Sequence, residues 1–279
     1  MIGAGVGMRP LPSSSLTDRD LAILDRLAEH EPLATSELRL LFFDGLRTCQ
    51  ARLKLLDDGE LLCRVYPARS SRGGKSEPLW FLTPHGRRMI GASSRRPPGL
   101  SIPDLEHRRA VARFFLDLVE RSLERKGEGL HSWWGETRAA AGVGGGPLRP
   151  DGYGRYLLPD GELTFYLELD RGTEPARRVA AKLTAYQHGL ANDPEREYAN
   201  VLLDCHSKRR LANLARYAPE GPPWTWGTVD GETYELLPDR EHQRSIEELP
   251  RRPRDSSRRV EDCLGRRWHW DVASARRAA

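Results

Sequence analysis

Cysteine is scarce in this 279-residue chain, and the four present, Cys49, Cys63, Cys205 and Cys263, never form a Cys-x-x-Cys pair. That argues against both a zinc framework and a disulfide-stapled scaffold. Long apolar runs are missing as well: nothing approaches the roughly 18 residues a membrane helix needs, and the mean hydropathy is -0.62. A membrane span is excluded on that count. The opening MIGAGVGMRPLPSSS has no charged start followed by an apolar stretch, so no secretion signal is expected and a cytoplasmic protein is. Charge of one sign is also lacking, with 44 Lys and Arg against 40 Asp and Glu. From Arg240 to Ala279 there are 11 arginines against 7 acids, an excess equal to the whole-chain net of +4. The body is therefore neutral overall. Nucleic-acid affinity there must come from local patches, while the tail can add non-specific attraction to phosphates.

Composition divides the chain into five parts. Residues 1–15 are rich in Gly, Pro and Ser and are expected to be disordered. A first globular unit covers 16–91, and 92–103 (ASSRRPPGLSIP) has linker composition, with Pro97-Pro98 barring a helix through it. A second unit covers 104–238, and 239–279 is an Arg-rich tail expected to be flexible. The predicted class is α+β or α/β.

In the first unit Thr17 is placed to cap a helix, with Asp20 three residues on and Leu21, Leu24, Leu27 and Ala28 at helical spacing behind it. Thr35 opens a short second helix. A third spans about Arg47 to Asp57 and stops at Gly59, where a left-handed cap is expected. On that helix Cys49, Leu53 and Leu56 share one face, and Arg47, Gln50 and Lys54 lie away from it. Two strand-like runs follow, 60–66 and 79–83, joined by a basic loop carrying Arg69, Arg72 and Lys75. Three helices and a basic hairpin make a winged helix-turn-helix, whose third helix can enter a major groove while the wing reaches neighbouring phosphates. The closing FLTPHGRR resembles the end of many bacterial winged-helix domains. Double-stranded DNA is the expected partner through Arg47, Gln50, Lys54, Arg69, Arg72 and Lys75. The competing use of such a module is as a protein–protein adaptor, with a homodimer among the arrangements left open.

The second unit opens on an amphipathic helix, 105–123, followed by a short aromatic strand, 131–136, that ends on Glu136. Its tryptophans, like Trp224 and Trp226, are expected in the core. Asp151 follows Pro150. The run Leu163–Asp170 then alternates, with Leu163, Phe165, Leu167 and Leu169 on one face and Thr164, Tyr166, Glu168 and Asp170 on the other. Glu168 and Asp170 thus point the same way, roughly 7 Å apart by the two-residue repeat. Adjacent like charges repel, and a hard divalent cation such as Mg²⁺ or Mn²⁺ would offset that repulsion. After Gly172 a helix is expected from Thr173, with Pro175 in its first turn and Ala176, Val179, Ala180 and Leu183 buried. Arg178, Lys182 and Tyr186 follow at i+4 on a row beside that stripe, so Lys182 can reach back toward the carboxylate strand. A strand at 198–204, a helix at 208–216 and a strand at 224–229 complete the unit.

Helix, three strands, helix, strand, with Asp on the second strand and Glu-x-Asp on the third, resembles the PD-(D/E)xK nuclease superfamily fold. WWGETR, RPDGYGRY and YLELDRGTE followed by KLTAY, set behind a winged helix, resemble the replication-relaxation family of plasmids and mobile elements. The likeness covers about residues 16–229. It implies a DNA-binding protein of plasmid replication or relaxation. Nucleases of the superfamily carry lysine where Asp170 stands, and Lys182 would then substitute from the helix. Under that reading Asp151, Glu168, Asp170 and Glu136 are the metal ligands, and Lys182 is catalytic, stabilising developing charge. Two functions stay open: a Mg²⁺-dependent endonuclease or nickase, and a non-catalytic DNA-binding regulator whose nuclease-like domain supplies only surface.

Overall fold

The computed structural model describes residues 15–67, 76–92, 101–143, 148–194, 196–221, 223–229, 232–237 and 240–244. They fall into two compact units, one ending at Leu116 and the other beginning at Asp117. The linker composition at 93–100, the basic loop at 68–75, the first 14 residues and the chain beyond 244 lie outside the described residues.

In the first unit, helices α1 (Asp18–His30), α2 (Thr35–Phe42) and α3 (Leu46–Asp58) pack with a three-stranded antiparallel sheet. Its strands are β1 (Leu33–Ala34), β2 (Leu62–Val65) and β3 (Leu79–Leu82), in the order β1-β3-β2. Thr17 caps α1 in a reciprocal box: its hydroxyl accepts from the Asp20 amide at 3.3 Å and Asp20 accepts from the Thr17 amide at 2.7 Å. The buried stripe of α1 is Ile23, Leu24 and Leu27, while Leu21 and Ala28 are half-buried. Buried Asp20 also takes the Arg52 guanidinium of α3, which locks the first and third helices together. A second buried pair joins Arg87 of α4 (Pro84–Met89) to Glu31, whose other oxygen accepts from the Leu82 amide at 3.0 Å.

The end of α3 departs from expectation. Gly59 has φ -86, and the left-handed residue is Glu60 at φ 60. The Leu61 amide donates to Leu56 O and the Glu60 amide to Asp57 O, each at 3.0 Å. Those two bonds define a Schellman closure one residue later than the glycine suggests, fixed by Leu61 and Leu56, both fully buried.

Helix α5 (Ile102–Glu124) leads into the second unit. There a seven-stranded mixed sheet has the order β10-β9-β8-β7-β6-β5-β4. Strands β4 (Gly129–Gly135), β5 (Gly152–Leu158) and β6 (Gly161–Asp170) form an antiparallel meander, and β6, β7 (Ala199–Cys205) and β8 (Trp224–Val229) run parallel. Helix α7 (Ala176–Gly189) joins β6 to β7 and α8 (Lys208–Ala215) joins β7 to β8. Two right-handed crossovers stepping the same way along a sheet place both helices on one face. The packing agrees: Val179, Leu183 and Tyr186 of α7 and Leu211 and Leu214 of α8 share one core with Tyr166, Val201, Leu203, Cys205 and Val229. Tyr186 therefore belongs to the buried stripe itself.

Three local differences from the sequence reading have physical reasons. Glu136 does not end a strand but starts the short helix α6 (Glu136–Gly142), because pairing of β4 with β5 stops at Gly135 and the Ala-rich stretch beyond favours helix. Pro175 caps α7 instead of sitting inside it, since the residue before a proline is pushed out of the helical region and holds Glu174 in the loop. The antiparallel pair β9 (Glu232–Leu237) and β10 (Arg240–Arg244) extends the sheet into the stretch read as tail. A charged edge strand needs backbone pairing on one side only, so its arginines gave no warning. Trp133 and Trp226 are buried as expected, whereas Trp134 and Trp224 are half-buried. Among the described residues Cys49, Cys63 and Cys205 form no disulfide. Among the described residues no helix is long and apolar enough to cross a membrane.

Candidate functional site

The register of β5 on β6 positions the acids. Tyr153 pairs with Tyr166 and Gly152 with Leu167, so Asp151, just ahead of β5, stands across from Glu168 on the same face. Its backbone continues the ladder, the Asp151 amide donating to Leu167 O at 3.0 Å, while the Leu169 amide donates to Asp151 Oδ2 at 2.8 Å. The Asp151 carboxylate is thereby held against the end of β6. Glu168 is 4% exposed. Its Oε1 accepts from the Tyr186 hydroxyl at 2.7 Å, and Lys182 Nζ lies 3.4 Å from its Oε2. Lys182 reaches Glu174 Oε2 at the same distance and keeps 39% of its side chain exposed. Asp151, Glu168, Lys182 and Tyr186 thus converge, on two strands and the helix packed over them.

The electrostatics follow from that crowding. Burial, then the nearby Asp151 charge, push the Glu168 carboxyl up to about 7, against the pull of Lys182 and Tyr186. Burial works against the Lys182 ammonium, but Glu168, Glu174 and Asp151 outweigh it and raise its pKa. Burial and then Glu168 lift the Tyr186 hydroxyl far above its ordinary range, so it stays a donor.

Asp170 shares the face of Glu168 but not its partners. Arg210 of α8 grips it through two bonds, Nε to Oδ2 at 2.5 Å and Nη2 to Oδ1 at 3.1 Å, and the Gly172 amide donates to Oδ1 at 3.1 Å. The same guanidinium donates to Glu174 O at 2.6 Å. Glu136 lies on the surface, 3.7 Å from Arg149. Among the described residues no group of three or more His, Cys, Asp and Glu side chains is placed to hold a metal together. The four-acid set expected from the sequence is therefore not assembled: Asp151 and Glu168 meet, while Arg210 claims Asp170 and Glu136 turns to Arg149. Two carboxylates still fit Mg²⁺ or Mn²⁺, because such an ion takes one or two acids and fills its remaining positions with water and phosphate oxygens. The raised Glu168 pKa marks the negative charge such an ion would offset.

Sequence reasoning missed Arg210 and Glu174. Nothing local to α8 signals a partner 40 residues earlier. An aromatic row also went unforeseen: Trp134, Tyr153, Tyr166 and Tyr186 pack one against the next with tilted rings and centroid separations of 4.4, 5.1 and 5.5 Å, ending on the tyrosine that fixes Glu168.

In the first unit α3 buries Cys49, Leu53 and Leu56 and exposes Arg47, Gln50 and Lys54. Lys54 pairs with Asp58 one turn on, and Arg64 of β2 lies 3.3 Å from Asp57. Arg69, Arg72 and Lys75 lie outside the described residues.

A model of the replication-relaxation family matches residues 24–202. The chain belongs to the replication-relaxation family. The matched stretch runs from α1 into β7, so the family segment includes α3, Asp151, Glu168, Asp170, Lys182 and Tyr186, and leaves Arg210 outside. Comparison with curated proteins and with solved structures finds no match.

Proposed function

We propose that this replication-relaxation protein binds plasmid or mobile-element DNA through a winged helix-turn-helix and cuts or nicks it at a PD-(D/E)xK-like site in its second unit. The cross-strand placement of Asp151 opposite Glu168, with Lys182 Nζ 3.4 Å from Glu168, supports the reading. It supplies two oxygen donors and an ammonium from separate elements around one point. Asp151 and Glu168 would hold Mg²⁺ or Mn²⁺, which when bound polarises a phosphate and lowers the pKa of a water. Tyr186 orients Glu168 through its hydroxyl. Lys182, partly open to solvent, places a positive charge where a phosphate oxygen gains negative charge. Exposed Arg47, Gln50 and Lys54 on α3 face outward to meet a groove.

One observation favours a non-catalytic DNA-binding regulator instead. The strand position that carries lysine in nucleases of this superfamily holds Asp170, and Arg210 neutralises it. Incubation with supercoiled plasmid separates the two readings. The nuclease reading expects open-circle or linear product with Mg²⁺ or Mn²⁺, none with chelator, and none from Asp151→Asn or Glu168→Gln even though both variants retain DNA binding. Cleavage that survives both substitutions excludes this site, and metal-independent binding without cleavage leaves the regulator.

A further inference from the structure

Parallel strands β6 and β7 end side by side, Asp170 in register with Cys205, so the segments leaving them emerge at neighbouring points of one sheet edge. Both are basic. After β6 come Arg171, Arg177 and Arg178 with half-buried Glu174 among them, and after β7 come Lys208 and Arg209; all five cations are exposed. Arg177 and Arg209 form no ion pair with the described residues, and Arg178, 71% exposed, has only Glu174 within reach, at 3.9 Å. Lys182 lies one turn beyond Arg178 on α7, so the cationic surface is continuous with the Asp151–Glu168 site. The opposite ends of these strands carry the other sign. Segments entering β6, β7 and β8 hold Asp160, Asp193, Glu197 and Glu220 against Arg196 and Arg216. The sheet is therefore polarised along its strands in a chain whose body is neutral.

We infer that this edge of the second unit is a duplex-DNA backbone surface in its own right, gripping phosphates without reading sequence. It deepens the proposed DNA-binding role and does not depend on cleavage. A neutral body that must hold a polyanion needs its cations gathered locally, and the two helices α7 and α8 present theirs together at the end where the acids and Lys182 lie. Backbone contacts of this kind fix position on DNA and leave discrimination among sequences to other contacts.

Anisotropy titrations of the full chain with a fluorescent duplex of arbitrary sequence, in chelator and over a salt series, test this. Wild type is compared with the triple variant Arg177→Gln, Arg178→Gln, Arg209→Gln and with Arg216→Gln. Each phosphate contact contributes about 0.9 to the slope of log K against log salt. The triple variant should lose about 3 from that slope and at least about tenfold in affinity at low salt, and Arg216→Gln should lose neither. A triple variant with wild-type slope and affinity overturns the inference, as does an equal loss from Arg216→Gln or tighter binding to anionic phospholipid vesicles than to duplex. Failure of the wild type to bind duplex at all would instead sink the DNA-binding role itself.

Discussion

Replacing Glu168 by glutamine should make the second unit more stable at neutral and alkaline pH. The carboxyl rises from its ordinary 4.5 to about 7 in the folded chain, chiefly through burial and then through Asp151. The native state therefore holds the Glu168 proton more tightly than the unfolded chain does. That contribution is fully present below pH 4.5, and it is lost as the pH climbs toward 7. At roughly 1.4 kcal/mol per pKa unit the loss is on the order of 3 kcal/mol. Glutamine keeps an oxygen for the Tyr186 hydroxyl and has no charge to be forced into the core. Urea unfolding of wild type and Glu168→Gln, in chelator from pH 4.5 to 8, gives a difference curve in which other titrations cancel. It should start near zero and climb by about 3 kcal/mol, equivalent to a melting-temperature gain of roughly 6 to 12 °C for a domain of this size. A flat curve, or a variant less stable than wild type at pH 8, would refute the burial of Glu168 beside Asp151 as the source of its raised pKa. Added Mn²⁺ should raise the stability of wild type at pH 8 and leave the variant largely unmoved.

Other substitutions probe the frame around the sites. Glu60→Gly should stabilise the first unit by about 1 kcal/mol in thermal unfolding, because Glu60 sits at φ 60, where glycine has no Cβ penalty. Gly86→Ala should destabilise it by more than about 2 kcal/mol, since an added Cβ would drive into Leu61 O. Asp20→Ala removes a helix cap and leaves the half-buried Arg52 without its carboxylate, and chemical denaturation should show a loss of about 2 to 4 kcal/mol. In wild type, burial opposes the Asp20 charge, but its bonds to Arg52 and Thr17 prevail and hold its pKa below 3.8. Its contribution is thus present above that value and fades as the solution is acidified through the lower folded value.

Local pattern carried much of this fold. The alternation of Leu163–Asp170 placed Glu168 and Asp170 on one face, and the Cys49, Leu53, Leu56 stripe oriented α3 with Arg47, Gln50 and Lys54 outward. Each follows from a strand period of two or a helix period near 3.6, which the chain writes directly. The same rule brought Lys182 back over β6. What pattern could not supply were pairings decided by packing at long range. Arg210 meets Asp170 only because two crossovers put α7 and α8 side by side, and Glu60 takes the left-handed position because the buried Leu61–Leu56 contact outweighs the preference for glycine at Gly59. Strand β10 reads as charged tail because an edge strand is held by its backbone.

Under the nuclease reading proposed above, the tie between Asp170 and Arg210 also accounts for an ammonium supplied from α7. A lysine at the Asp170 position would face Arg210 across the bond that now holds Glu174 O and the β6–α7 turn in place. With aspartate there, the turn is pinned and Glu174 is presented to Lys182, whose amine then spans Glu174 and Glu168 at 3.4 Å each. Asp151 and Glu168 together carry two negative charges against one ammonium already shared with a third acid. That imbalance adds to burial in lifting the Glu168 pKa, and a divalent cation held by the two carboxylates would offset it. Arg210→Lys, which keeps the charge but cannot grip both Asp170 oxygens and Glu174 O at once, should free the turn and loosen Lys182 without unfolding the sheet. Hydrogen exchange across 171–178 reads that directly: faster exchange in this segment with unchanged protection in β7 is expected, and unchanged exchange throughout would show that the turn is held by something other than Arg210.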